Sequence, residues 1–216
     1  MTVQDIITEL NDHGFADLGQ TAQVRAINQA LKNVCYRENW PFLEKVLTLT
    51  FDGVSGVPLN APADLRAVKK IMDTTSGKRI RFSRTDDFEE KHASELTLAG
   101  DPLLYYFVGE TLNVWPIPAA TQTLRLRYIQ MVPDVVASDT EAAIVLPRDY
   151  HEAIVFRALM RLYDLDDDSA LSARFEAHYE NEMAQMEDAL MNHQHDEPEY
   201  IHALDPDDFD YFYPTY

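Results

Sequence analysis

The densest set of side chains able to do chemistry lies near the C-terminus, where His193, His195 and His202 stand among Asp196, Glu197 and Glu199. A His-x-His pair beside carboxylates offers the donors that a divalent ion accepts. A working metal also needs neighbours that hold its ligands rigid. Here the ligands would hang from a helix end into an acid-rich arm, so no metal site is expected. His13, His92, His151 and His178 share no ligand spacing and read as surface or cap residues. Acid clusters at Asp86-Asp87 and from Asp164 to Asp168 fall at helix starts and loops. Paired catalytic carboxylates need burial to separate their pKa values, and solvated caps do not provide it. Glycine is scarce, at seven, and neither a Gly-rich phosphate loop nor a GxSxG elbow is present. Cys35 has no nearby His and reads as a small buried hydrophobe on a helix face. No catalytic residue, metal or cofactor is expected, and the chain does not read as an enzyme.

The chemistry that remains is that of binding. Residues 193–216 carry seven acids and no Lys or Arg. They also carry six aromatics: Tyr200, Phe209, Tyr211, Phe212, Tyr213 and Tyr216. Dense charge opposes folding alone, and Pro198, Pro206 and Pro214 break any helix. Aromatic anchors set among acids suggest an extended arm that docks on another protein surface. In that reading the rings fill apolar pockets, while Asp205, Asp207, Asp208 and Asp210 meet Lys or Arg on the partner. The bland alternative is an arm folded back on its own body.

The net charge of −19 argues against a protein that holds nucleic-acid phosphates. Acidic proteins keep apart in solution, bind basic surfaces, or line passages to which DNA must not stick. The charge is uneven. Lys69, Lys70, Lys78, Arg79, Arg81 and Arg84 face one acid, Asp73, over positions 69–84. A basic middle with acidic ends could pair one copy with its neighbour in a ring. A solvated strand surface explains the same residues. No run is long and apolar enough to cross a membrane, so no membrane partner is expected. Met1-Thr-Val-Gln-Asp lacks the regions of a signal peptide. One cysteine allows no internal disulfide, which fits synthesis in a reducing cytoplasm.

These residues need elements to place them. Thr2 can cap a first helix to about His13, with Asp5 completing a partial capping box. Thr21 can cap a second helix from Ala22 to about Glu38, whose stripe is Val24, Ile27, Leu31 and Val34. Asn39-Trp40-Pro41 stops it. The period then changes to two: Leu47, Leu49 and Phe51 alternate with threonines, and Ile80 and Phe82 alternate with Arg79 and Arg81. Arg66 to Thr74, Leu103 to Val108 and Thr111 to Trp115 read as further strands, the last two joined at Gly109-Glu110. Thr85 to His92 reads as a short helix capped by Thr85. Leu124, Leu126 and Tyr128 alternate with Arg125 and Arg127. Helical period returns from about Arg148 to Tyr163, and again after Asp166-Asp167-Asp168-Ser169 to about Asn192, where Leu171, Phe175, Tyr179, Met183, Met186 and Leu190 lie in one stripe. Trp40 and Trp115, each before a proline, read as core plugs where bundle meets sheet, with a protein contact as the alternative. The expected fold is α+β: a helical bundle of the N- and C-terminal helix pairs, an inserted small antiparallel β module, and an extended C-terminal arm. The expected divisions are 1–43, 44–132, 133–192 and 193–216.

In order along the chain, Asn39-Trp40-Pro41, Pro58-Leu59-Asn60-Ala61-Pro62-Ala63-Asp64-Leu65, Leu112-Asn113-Val114-Trp115-Pro116-Ile117-Pro118, Leu124-Arg125-Leu126-Arg127-Tyr128 and Leu146-Pro147-Arg148-Asp149-Tyr150 form a set. This set, over about residues 20–190, resembles the head-to-tail adaptor (connector) proteins of tailed bacteriophages. The resemblance implies a structural virion protein, assembled in the host cytoplasm, that forms a ring beneath the portal, usually of twelve copies. Such a ring connects head to tail, prolongs the DNA channel without binding DNA specifically, and seats the next tail or nozzle component. The portal protein and other copies of the chain are then the expected partners, and a C-terminal segment often reaches the portal or a neighbour. Three other readings are another tail-assembly protein, an acidic DNA mimic that occupies a basic protein, and a metal-dependent hydrolase using the His-rich end. The basic segment 69–84 counts against the mimic, which needs a continuous acidic face.

Overall fold

The computed structural model describes residues 1–51, 59–92 and 94–191. Helix α1 (Val3–Leu10) starts where the sequence indicates. The Thr2 hydroxyl accepts from Asp5 N at 3.1 Å, and the Asp5 carboxylate accepts from Thr2 N at 2.7 Å. Both bonds satisfy amides that the first helical turn leaves without partners. The helix then loosens into a wider π-type turn, Asn11–Phe15, and Gly14 at φ +96° ends it. Helix α2 (Gln20–Arg37) begins after Gly19, so Thr21 lies inside it and does not cap it.

Among the described residues seven strands follow: β1 (Glu44–Phe51), β2 (Leu59–Asn60), β3 (Leu65–Asp73), β4 (Arg79–Phe82), β5 (Leu104–Val108), β6 (Thr111–Trp115) and β7 (Gln122–Gln130). Helix α3 (Thr85–His92) lies between β4 and β5. The Thr85 hydroxyl donates to Phe107 O at 2.7 Å, so it ties α3 to β5 rather than capping the helix. The β5–β6 hairpin turns at Gly109, φ +62°, as its Gly-Glu signal indicates. The last elements are α4 (His151–Leu165) and α5 (Ser169–Met191).

The chain divides into two compact units. One comprises Met1–Pro41 and the segment from Val135 onward, and the other is Phe42–Asp134. In the helical unit, Ile27, Leu31 and Val34 of α2 are buried, as are Ile154, Ala158 and Leu159 of α4 and Tyr179, Met183 and Met186 of α5. Phe15 packs edge-on against Tyr163, which stacks on Phe175, with centroids 4.9 and 5.5 Å apart. The loosened turn after α1 leaves carbonyls without helical partners. Gln23, itself buried, donates to Phe15 O at 2.8 Å and to Asn11 Oδ1 at 2.6 Å. The Tyr163 hydroxyl donates to His13 O at 2.9 Å. Trp40 is fully buried, with its indole N–H donating to Val34 O at 3.0 Å. His151, expected as a surface or cap residue, is buried with a ring nitrogen 2.9 Å from Leu146 O, so it is not on the surface.

The sheet unit overturns the expected helical bundle with a small antiparallel β module. Among the described residues of the chain, helix makes up 47% and strand 24%, and the strands form one curled mixed sheet, a half-barrel. Its order is β1-β7-β3-β4-β5-β6-β2. The physical reason lies in one pairing. β4 and β5 run parallel, with Arg81 opposite Leu104 and Phe82 opposite Tyr105. Parallel neighbours need a crossover, and α3 lies in it. That pair merges two antiparallel groups of strands into a single sheet with its own core of Leu49, Phe51, Ile71, Tyr105, Leu124 and Leu126. Phe88 of α3 is buried and stacks on Tyr106 at 4.2 Å. Five α-helices are therefore present among the described residues, and one of them belongs to the sheet unit.

Candidate protein-docking surface

Register decides which side chains share a face. β7 lies between β1 and β3, with Leu126 opposite both Leu47 and Ile71. These residues point to the core side. The alternate positions, Arg125 and Arg127, point to the other side. Arg127 lies opposite Val46 and Lys70, and Arg125 opposite Thr48 and Met72. Met72 in turn lies opposite Arg79. Arg81, two residues on, continues the same side of β4. One sheet face therefore gathers Lys70, Arg79, Arg81, Arg125 and Arg127. Among the register positions of this face on β1, β7, β3 and β4, Glu44 is the one carboxylate.

Glu44 is nearly closed off, with 10% of its side chain exposed. It accepts from Lys69 Nζ on β3 and from Arg127 on β7. Burial pushes its pKa up, but the hydrogen bonds and charges of these two cations outweigh burial and hold it below the usual value. A second cluster ties the same strands. Lys45 Nζ donates to Asp64 at 2.7 Å, and the Tyr128 hydroxyl donates to the other Asp64 oxygen at 2.9 Å. The lysine bond is the main reason that the Asp64 pKa is lowered. Burial, and then the Asp64 carboxylate, push Tyr128 up to about 12. Asp73, buried at the end of β3, accepts from Thr75 N at 2.9 Å and Ser76 N at 3.1 Å and so closes the turn to β4. Burial raises its pKa, yet the Ser76 hydroxyl, which also donates to it, and then those backbone bonds leave it lowered.

The sequence-indicated basic residues thus separate. All six are exposed. Lys70, Arg79 and Arg81 share the cationic face, and Lys69 is engaged with Glu44. Lys78 sits in the β3–β4 turn, and Arg84 precedes α3. Arg125 and Arg127 lie outside the basic segment 69–84 and join its face only through the fold. Their alternation with Leu124 and Leu126 was visible, but the pairing that sets them beside Lys70 was not.

β1 also ends the sheet. Among the described residues no strand pairs with its other edge. Val46 is 52% exposed and Leu47 38%. No proline or bulge interrupts its pairing with β7 from Glu44 to Phe51. Natural sheets usually protect such an edge.

The arm residues Tyr200, Asp205, Asp207, Asp208, Phe209, Asp210, Tyr211, Phe212, Tyr213 and Tyr216 lie outside the described residues, as do His193, His195 and His202. The helix that precedes them is held at two points. Arg37, the last residue of α2, donates to Glu180 at 2.8 and 3.0 Å and pairs with Glu187 at 3.0 Å. Among the described residues no group of His, Cys, Asp and Glu could hold a metal, and no helix is long and apolar enough to cross a membrane.

No curated protein matches this chain. The family model of the SU10 adaptor protein matches residues 1–203, so the chain belongs to that family, a phage head-to-tail adaptor family.

Proposed function

We propose that this protein forms a ring, dodecameric as in the adaptors it resembles, beneath the portal of a tailed phage, where it joins head to tail and prolongs the DNA channel. Membership of the family implies a structural role without catalysis, association with other phage head and tail proteins, and a place in the virion at the head–tail region. The observation that carries the finer reading is the match over almost the whole chain, residues 1–203.

In this reading assembly replaces catalysis. The aromatic residues of the arm dock on the portal or a neighbouring copy, and its aspartates meet cations there. Many weak arms engaged together give avidity that no single contact reaches. The net charge of −19 favours a channel lining that repels DNA phosphates and lets the genome slide. A solved ring with a mainly basic lumen would reject that last element. The cationic sheet face argues against a DNA mimic, which needs one continuous acidic surface.

The test is to mix the purified protein with the portal ring of the same virus and image the product by electron microscopy. The expected outcome is a symmetric second ring, lost when residues 205–216 are deleted. A ring that survives the deletion moves docking to the body of the protein. No association at any salt concentration rejects the adaptor ring.

A further inference from the structure

We infer that Asp207–Tyr213 of one copy adds as a strand to the open edge of β1 in a second copy. This rests on the proposed self-association and names the surface on which the arm acts. Three observations meet here. The first is the edge itself, eight residues long, paired on one side only among the described residues, and free of proline. The second is its two-sidedness. Leu47, Leu49 and Phe51 face the sheet core, while Val46, Thr48 and Thr50 lie beside the row of Arg125 and Arg127.

The third is the sequence Asp207-Asp208-Phe209-Asp210-Tyr211-Phe212-Tyr213, the stretch of the arm between Pro206 and Pro214. In an extended strand, Phe209, Tyr211 and Tyr213 fall on one side with Asp207 at its start, and Asp208 and Asp210 fall on the other with Phe212 at its end. The aromatic side continues the Leu47 and Leu49 face. The acidic side turns to the cationic face. Strand spacing puts β7 about 10 Å from an added strand, within the joint reach of an Asp and an Arg side chain. Arg125 suits that role, since it makes no ion pair among the described residues, whereas Arg127 is engaged with Glu44.

Residues 192–206 span up to about 50 Å when extended, enough to reach another copy. Each copy then offers one strand and one receiving edge. Such an unlike pairing repeats head to tail, and a fixed rotation between copies closes it into a ring. Main-chain bonds along the edge give affinity, and alternating side chains give specificity.

The test uses the full chain with p-benzoylphenylalanine in place of Tyr211, one aromatic for another. It is mixed with an isotopically labelled, otherwise unmodified copy, irradiated, and mapped by mass spectrometry. The expected cross-links join residue 211 to residues 46–51 of the labelled copy. Arg125→Glu in the labelled copy lowers their yield about tenfold, and Asp210→Arg in the photoreactive copy restores it. Cross-links within one chain, cross-links that map elsewhere, or none at all would overturn the inference, and this mapping does not depend on how the variants fold. A ring on the portal without these cross-links overturns this inference alone. These cross-links without a ring on the portal overturn the ring reading alone.

Discussion

Glu44 is the residue on which three strands of the sheet depend. Replacing it with Gln leaves Lys69 and Arg127 facing each other without their shared anion. Glu44→Gln is expected to destabilise the sheet unit by about 1–3 kcal/mol, read from the urea midpoint. The pH dependence has a definite sign. Because the folded pKa lies below the ordinary 4.5, the stabilisation is complete above that value and is lost as the pH falls through the folded pKa. The wild-type protein therefore loses stability steeply in that acid window, and the Gln variant less steeply. A Gln variant with the wild-type slope would contradict this account. Nothing in the local sequence marks Glu44 out, since its partners lie 25 and 83 residues away. The exposure of the basic residues was legible, because charged side chains alternating with apolar ones point outward. Their grouping was not, because register is a non-local property.

At the scale of elements, helices are more legible in the sequence than their ends. The apolar stripes of α2, α4 and α5 follow from period alone. Thr2 capped as indicated because its partner, Asp5, is three residues away. Thr85 did not cap, because its hydroxyl reaches Phe107 across the fold, a competitor that no local pattern reveals. The turn after α1 is the element most dependent on one side chain. Gln23→Ala removes the donor to Phe15 O in a buried setting and is expected to cost about 1–3 kcal/mol. Hydrogen exchange would show the loss first in residues 3–15. Unchanged exchange there would mean that Tyr163 alone holds the turn. The strands were legible one by one, yet the sheet was not. The parallel β4–β5 pair depends on a crossover between segments, each of which reads locally like part of a hairpin.

At the scale of the molecule, the two units carry their acid sensitivity unequally. Glu44, Asp64 and Asp73, all with lowered pKa values, belong to the sheet unit. Each stabilises the fold above its unfolded pKa and ceases to do so as the pH falls through its folded value. Hydrogen exchange at about pH 3 is therefore expected to show β1, β3 and β7 losing protection while α2 and α4 keep theirs. Simultaneous loss would show that the carboxylates do not set the order. The two-point attachment of Arg37 matters for a different quantity, which is force. Any pull on the arm enters the body at the end of α5. Glu187 is four residues from that end and Glu180 two turns deeper, and both are tied to the last residue of α2. Tension would otherwise peel α5 turn by turn from its terminus. Instead it meets a guanidinium within about one turn and divides between two helices. The bonds are exposed ion pairs, so the load at which the arm tears free should fall as salt rises.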